Sequence, residues 1–358
     1  MTYLDRNQIR IRRKIFKIIA VLLGLFIFLL FLEVGLRMFY PQTSSLLSKE
    51  DYIKPNERIT LYNPHLKREY AYTVITNSES MRNEKEFTLE HNNPRIILLG
   101  DSMAFGQGVE QNESFAAIIE SNFKDLEVLN LAVPGLSIPS YYSRLNTKGL
   151  EYNPDIVIVS IFLGNDLRSI GNITEINYTK SYVSPNPISL FLARNVHSLK
   201  FIWRYIYQGK LTAPIVKFFN IKTESLETKR IVNSEEELEK NLIVFETDLK
   251  YYKELSEKNN FSLIVLIIPE REQVDKTKMD EYLSKINDTQ VDEAEIRKKI
   301  NNILEKNKII YLDTTPELKR LNVNNTFYFE IDGHLNKEGH RLIGSLLTQK
   351  LKEENLLK

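Results

Sequence analysis

The chain has 358 residues, with 48 basic against 47 acidic side chains and a formal net charge of +1. That balance leaves no global electrostatic footprint for nucleic acid, and the lack of cysteine excludes disulfides, thiolate zinc sites, iron-sulfur clusters and a thiol nucleophile. Any chemistry falls to oxygen and imidazole, in a chain whose mean hydropathy of -0.29 is that of a globular protein and not of a polytopic membrane protein.

In chain order, residues 1–14 form a basic tail, holding Arg6, Arg10, Arg12, Arg13 and Lys14 against Asp5 alone. Behind it, Ile18 to Leu32 is uncharged, and apolar character continues to Tyr40, broken by Glu33 and Arg37. As a helix this stretch measures about 34 Å, enough to cross a hydrocarbon core of about 30 Å. Residues 15–40 are therefore expected to be a transmembrane anchor. Glu33 and Arg37, four apart, would pair at its outer end. The basic flank keeps the amino terminus cytoplasmic and puts the rest of the chain outside, in a bacterial envelope where a large cysteine-free domain is at home. A cleaved signal peptide is disfavoured because Arg37-Met38-Phe39-Tyr40-Pro41 lacks a small-x-small cleavage site.

Residues 41–93 are polar and irregular, with an extended candidate at Tyr70 to Thr76, and read as a stalk and lead-in. An α/β domain is expected over 94–358. Five apolar runs predict buried strands at Arg95 to Leu99, Leu126 to Leu131, Asp155 to Phe162, Phe261 to Ile268 and Lys308 to Leu312. Helical patterns fall at Ser114 to Phe123, Tyr141 to Leu150, Glu236 to Lys258, Ala294 to Lys306 and Lys337 to Glu353. The alternation predicts a five-stranded parallel sheet covered on both faces, with ligands at the carboxyl ends of its strands. An insertion at about 167–235 interrupts it. Its aromatics, among them Tyr178, Tyr182, Phe191, Phe201, Trp203, Tyr205, Tyr207, Phe218 and Phe219, predict a small helical subdomain burying its own rings.

Four blocks carry residues suited to chemistry. The first predicted strand runs into Gly100-Asp101-Ser102, the second ends before Pro134-Gly135, and the third ends at Gly164-Asn165-Asp166. Each alone reads equally well as a turn. Together they put the Ser102 N–H, the Gly135 N–H and the Asn165 amide on one sheet edge, the donors an oxyanion hole requires. The fourth block, Asp332-Gly333-His334, precedes the last helix and supplies a base, with Asp332 to hold its tautomer. His65 and His91 lie in the lead-in and His197 in the insertion. His340, inside the last helix, is expected to be structural or exposed. A metal site from Asp332, His334 and His340 is a further alternative, disfavoured for want of other ligands nearby.

In order and in placement at strand ends, these blocks resemble the SGNH (GDSL) hydrolases, whose name spells the four residues that would here be Ser102, Gly135, Asn165 and His334. The resemblance runs from about 95 to 350, less the insertion. It implies a flavodoxin-like three-layer α/β/α fold and cofactor-free acyl-ester chemistry, with Ser102 as nucleophile, His334 as base, Asp332 as its acid, and Gly135 and Asn165 completing the oxyanion hole. Two features depart from many members. The acid stands two residues before the histidine, where Ile331 occupies the more usual place, and the third block lacks one residue. Asp-x-His spacing is similar to that of polysaccharide O-acetylation proteins. The segment Thr76-Asn77-Ser78-Glu79-Ser80-Met81-Arg82 resembles one that precedes the catalytic block in membrane-anchored members, without an assigned role. The resemblance therefore implies an anchored esterase acting on O-acetyl groups of an envelope or exported glycan. The alternatives are an O-acyltransferase served by a membrane acyl-donor partner, and a non-catalytic binding protein on the same scaffold.

Overall fold

The computed structural model describes residues 3–40, 53–63, 69–164, 166, 195–201, 235–285, 293–323 and 326–357. They fall into two compact units, one holding the described residues 3–40 and 195–201, the other the remaining described residues.

In the first unit, α1 (Tyr3–Phe39) contains a stretch, Ile9–Phe39, long and apolar enough to cross a membrane. Its apolar side chains are exposed on every side, Phe16, Leu22, Phe26 and Phe31 among them, which suits a helix whose surroundings are apolar all round. Near its end Arg37 Nε meets Glu33 Oε1 at 2.7 Å, the expected pair one turn apart. The same carboxylate accepts the backbone N–H groups of His197 (3.0 Å) and Ser198 (2.7 Å), capping the turn at 197–201. The remaining aromatics expected in the insertion lie outside the described residues, Phe201 excepted; its ring meets that of Tyr40 edge-on at 6.2 Å.

In the second unit, the lead-in is structured. Strands β1 (Arg58–Tyr62) and β2 (Ala71–Ile75) pair antiparallel, Thr60 opposite Thr73, and Ile53, Tyr72 and Val74 are buried in the domain core. The main sheet comprises β3 (Arg95–Leu99), β4 (Glu127–Asn130), β5 (Ile156–Phe162), β6 (Ser262–Ile268) and β7 (Ile310–Asp313), in the order β4-β3-β5-β6-β7. All four pairings are parallel. The first strand lies inside and the second at the edge, which is the flavodoxin-like order.

The apolar runs have no polar face because both faces of the sheet are covered. Ile96, Leu98, Ile158, Ile264 and Leu266 point into one core with α3 (Phe115–Ser121) and α10 (Lys337–Glu353). Ile97, Leu99, Val157, Val159 and Val265 point into the other with α4 (Ile138–Thr147), α5 (Glu235–Asn259) and α8 (Glu293–Lys306). The architecture is thus three-layered, as expected. Shorter helices α2 (Ser102–Phe105), α6 (Arg271–Val274), α7 (Lys276–Lys285) and α9 (Thr315–Leu321) complete it. Helix α4 starts three residues before the expected Tyr141, with Pro139, whose fixed φ suits a first helical turn, near its start. It also stops earlier, at Thr147, and the chain tightens into a 3-10 turn at Gly149–Tyr152.

Candidate active site

The site grows from the carboxyl end of β3. A Cβ on Gly100 would lie 2.6 Å from Ala104 Cβ and 3.0 Å from Ser160 Cβ, so only glycine allows the strand to turn this sharply into α2. Asp101 caps that helix, its Oδ1 accepting the Met103 N–H at 2.9 Å. Ser102 therefore stands first in a short helix at the sheet edge, half-buried.

Arg82 holds the far side of this turn. Its side chain is completely buried, and its guanidinium donates to the carbonyls of Phe105, Gly106 and Val109. It also stacks over the Phe105 ring, 4.9 Å from the centroid. Its backbone lies along the β4 edge, donating to Asn130 O at 3.2 Å. Asn77 shapes the approach, accepting the N–H groups of Glu79 (3.1 Å) and Met81 (2.9 Å). The lead-in segment singled out in the sequence thus supports the Ser102 loop. The resemblance flagged the segment without a role, and the carbonyls that Arg82 serves are not legible in sequence.

His334 sits in the loop before α10. Its carbonyl accepts the Phe329 N–H at 2.8 Å. Asn336 locks the loop to the helix, accepting from Glu338 N (2.9 Å) and Gly339 N (3.1 Å) while donating to Thr326 O (2.9 Å). The imidazole spans two partners: Nε2 lies 2.7 Å from Ser102 Oγ, and Nδ1 meets Asp332 Oδ1. The Asp332 side chain is 3% exposed and that of His334 21%, so the pair is shielded on the acid side and open toward Ser102. Gln107 Nε2 sits 3.5 Å from His334 Nδ1 and 3.3 Å from the Tyr70 hydroxyl. Burial, and then the Asp332 carboxylate, push the Tyr70 phenol well above its ordinary range, keeping it neutral.

Gly135 occupies the turn after β4 with φ +81°. A Cβ there would meet nothing within 4 Å, so glycine is required by the left-handed backbone and not by crowding. Asn165 lies outside the described residues. Next to it, Asp166 is buried; its Oδ2 accepts the Phe162 N–H and its Oδ1 meets the Tyr141 hydroxyl, each at 2.9 Å. Burial, and then the nearby Asp101 carboxylate, hold Asp166 well above the usual carboxylate range.

His340 is apart from this constellation. It is buried, stacks on Phe115 at 5.4 Å between centroids, and accepts the Phe115 N–H at Nδ1 (3.3 Å). Burial, helped by the positive charge of Arg82, pushes its pKa down to about 3. His91 bonds to the Asn93 and Asn153 carbonyls, His197 belongs to the other unit, and His65 lies outside the described residues. Among the described residues no group of three or more His, Asp or Glu side chains is arranged to hold a metal ion.

No protein-family model matches the chain, and no curated protein matches it. Solved structures do resemble it. One is a protein described as lipolytic and of the G-D-S-L family from Desulfitobacterium hafniense, at 16% identity and TM-score 0.40, covering 72% of this chain and 100% of that one. A second is the lipase/acylhydrolase from Enterococcus faecalis, at 15% and 0.39, covering 74% and 97%. A third is a catalytic mutant of an acetylxylan esterase from Geobacillus stearothermophilus, at 10% and 0.38, covering 74% and 96%. With identities and TM-scores this low, what the site can do is read from its own geometry.

Proposed function

We propose that the chain is a membrane-anchored serine esterase that removes acyl groups, O-acetyl foremost, from an envelope or exported glycan. The observation that carries this reading is the contact of Ser102 Oγ with His334 Nε2 at 2.7 Å while Asp332 engages Nδ1. Such a relay suits nucleophilic acyl transfer. In the proposed reaction Ser102 Oγ attacks the ester carbonyl carbon as its proton passes to His334 Nε2. The tetrahedral oxyanion takes hydrogen bonds from the Ser102 and Gly135 N–H groups and the Asn165 amide. Collapse breaks the carbon–oxygen bond to the sugar, which leaves as an alcohol carrying the proton from His334. Water then attacks the acyl-serine, again deprotonated by His334, and releases the acid and free Ser102.

The anchor and topology rest on α1 and the basic residues before its apolar stretch, which favour a cytoplasmic amino terminus. The glycan rests on the Asp-x-His spacing. That same spacing favours a second reading, in which a sugar hydroxyl replaces water and the chain is an O-acyltransferase.

The test uses the full-length protein in detergent micelles with p-nitrophenyl acetate, comparing wild type with Ser102→Ala. Serine-dependent turnover, lost by about a thousandfold or more in the variant, is expected. A folded Ser102→Ala protein that still turns over the ester would overturn the proposal. Acetyl groups appearing on an added oligosaccharide without matching free acetate would favour transfer over hydrolysis.

A further inference from the structure

Resting on that reading, we infer that Glu69 is a positioning residue that aims Asp332 at His334. Glu69 lies two residues before β2, in a stretch whose sequence shows no catalytic motif. Its two carboxylate oxygens divide between consecutive backbone donors: Oε1 accepts the Ile331 N–H and Oε2 the Asp332 N–H, each at 2.8 Å. Such paired, charge-assisted bonds fix orientation as well as distance.

The acid needs this support because of where it sits. Asp332 belongs to a turn outside any helix or strand, in which Gly333 has φ +78° and bonds back to Phe329 O at 3.2 Å. With only Gly333 between them, Asp332 reaches the His334 ring through a short side chain, so small rotations of the 331–332 backbone swing the carboxylate away from Nδ1. Glu69 grips both peptide N–H groups that set that rotation. Tyr70 extends the grip. Its ring lies 4.5 Å from that of Phe329, and its hydroxyl accepts from Gln107 Nε2 at 3.3 Å and donates to the Asp332 carboxylate. The lead-in therefore reaches the acid loop through Glu69 just as it reaches the nucleophile loop through Arg82.

Glu69→Gln tests this. A glutamine side chain of the same size accepts only one of the two N–H groups and turns an NH2 toward the other. In the full-length protein kcat toward p-nitrophenyl acetate should fall about 10- to 100-fold, the usual scale for a misplaced catalytic group, with KM unchanged. Phosphorylation of Ser102 by diisopropyl fluorophosphate, in which Oγ displaces fluoride, should slow in parallel. Glu69→Asp, which keeps both acceptor oxygens, should recover part of the rate, and if the glutamine variant fails to fold, Glu69→Ala, which removes both acceptors, carries the same test against it. A folded Glu69→Gln protein with wild-type kcat, or an aspartate variant no faster than the glutamine one, would overturn the inference. A wild-type Ser102 that resists this phosphorylation would instead sink the acyl-transfer reading itself, and this inference with it.

Discussion

Replacing Asp332 by asparagine probes the proposed mechanism at its most sensitive point. The carboxylate accepts from His334 Nδ1, which leaves the Nε2 lone pair facing Ser102 Oγ at 2.7 Å. Asparagine has nearly the same shape, but its amide can donate to Nδ1. The imidazole proton then moves to Nε2, which meets the serine hydroxyl as a donor and cannot receive its proton. Molecules that retain the right tautomer still lack a counter-charge when the imidazolium forms. With the Asp332 side chain 3% exposed, bulk solvent compensates that missing charge poorly. Tautomer reversal and lost charge stabilisation together cost about 10,000-fold in kcat in a Ser-His-Asp site, or about 5 to 6 kcal/mol of barrier. Steady-state kcat of Asp332→Asn toward p-nitrophenyl acetate measures the loss, with circular dichroism and a melting curve showing that the fold is intact. A loss below tenfold in a folded variant would refute the assignment of Asp332 as the acid.

Two further predictions concern buried titratable groups around the site. The Tyr141 hydroxyl lies 2.9 Å from Asp166 Oδ1 and 3.0 Å from Leu136 O; having one hydrogen for two acceptors, it requires a protonated Asp166, in keeping with the raised pKa of that carboxyl. Asp166→Asn, whose oxygen can take the Phe162 N–H while its NH2 serves Tyr141, should stay within about 1 kcal/mol of wild type in urea denaturation, whereas Asp166→Ala should lose about 1–3 kcal/mol; the opposite order would refute a neutral Asp166. His340 titrates near 3 when folded, against an ordinary value of 6.5, so below pH 6.5 the unfolded chain binds the extra proton. The stability that neutral His340 provides is present above about pH 6.5 and is lost as pH falls toward 3. His340→Asn keeps an acceptor for the Phe115 N–H without titrating and should flatten the dependence of the urea midpoint between pH 7 and 4; an unchanged slope would assign the acid sensitivity elsewhere.

Much of the sheet was legible. Strands such as Ile156–Phe162 and Ser262–Ile268 are short apolar runs because both of their faces are covered, and a parallel sheet needs helices between its strands. Strand ends shifted by a residue or two, since where pairing stops depends on the neighbouring strand. The lead-in was less legible. The extended candidate at Tyr70 to Thr76 is strand β2, but β1 alternates too briefly to stand out, and Ile53, Tyr72 and Val74 become core residues only once the domain is there to receive them.

By itself the sequence determined the apolar span, the order of the sheet-forming runs and the residue types at the strand ends, because each is encoded in contiguous residues through local periodicity and composition. Tertiary structure alone decided which of these residues meet. The Ser102–His334 contact joins positions 232 residues apart, and Glu69 reaches the Asp332 N–H across 263. The first joins side chains on two turns that have no period of their own, and the second uses a backbone donor of the kind every residue but proline carries, so both geometries emerge only when the sheet brings the loops to one edge.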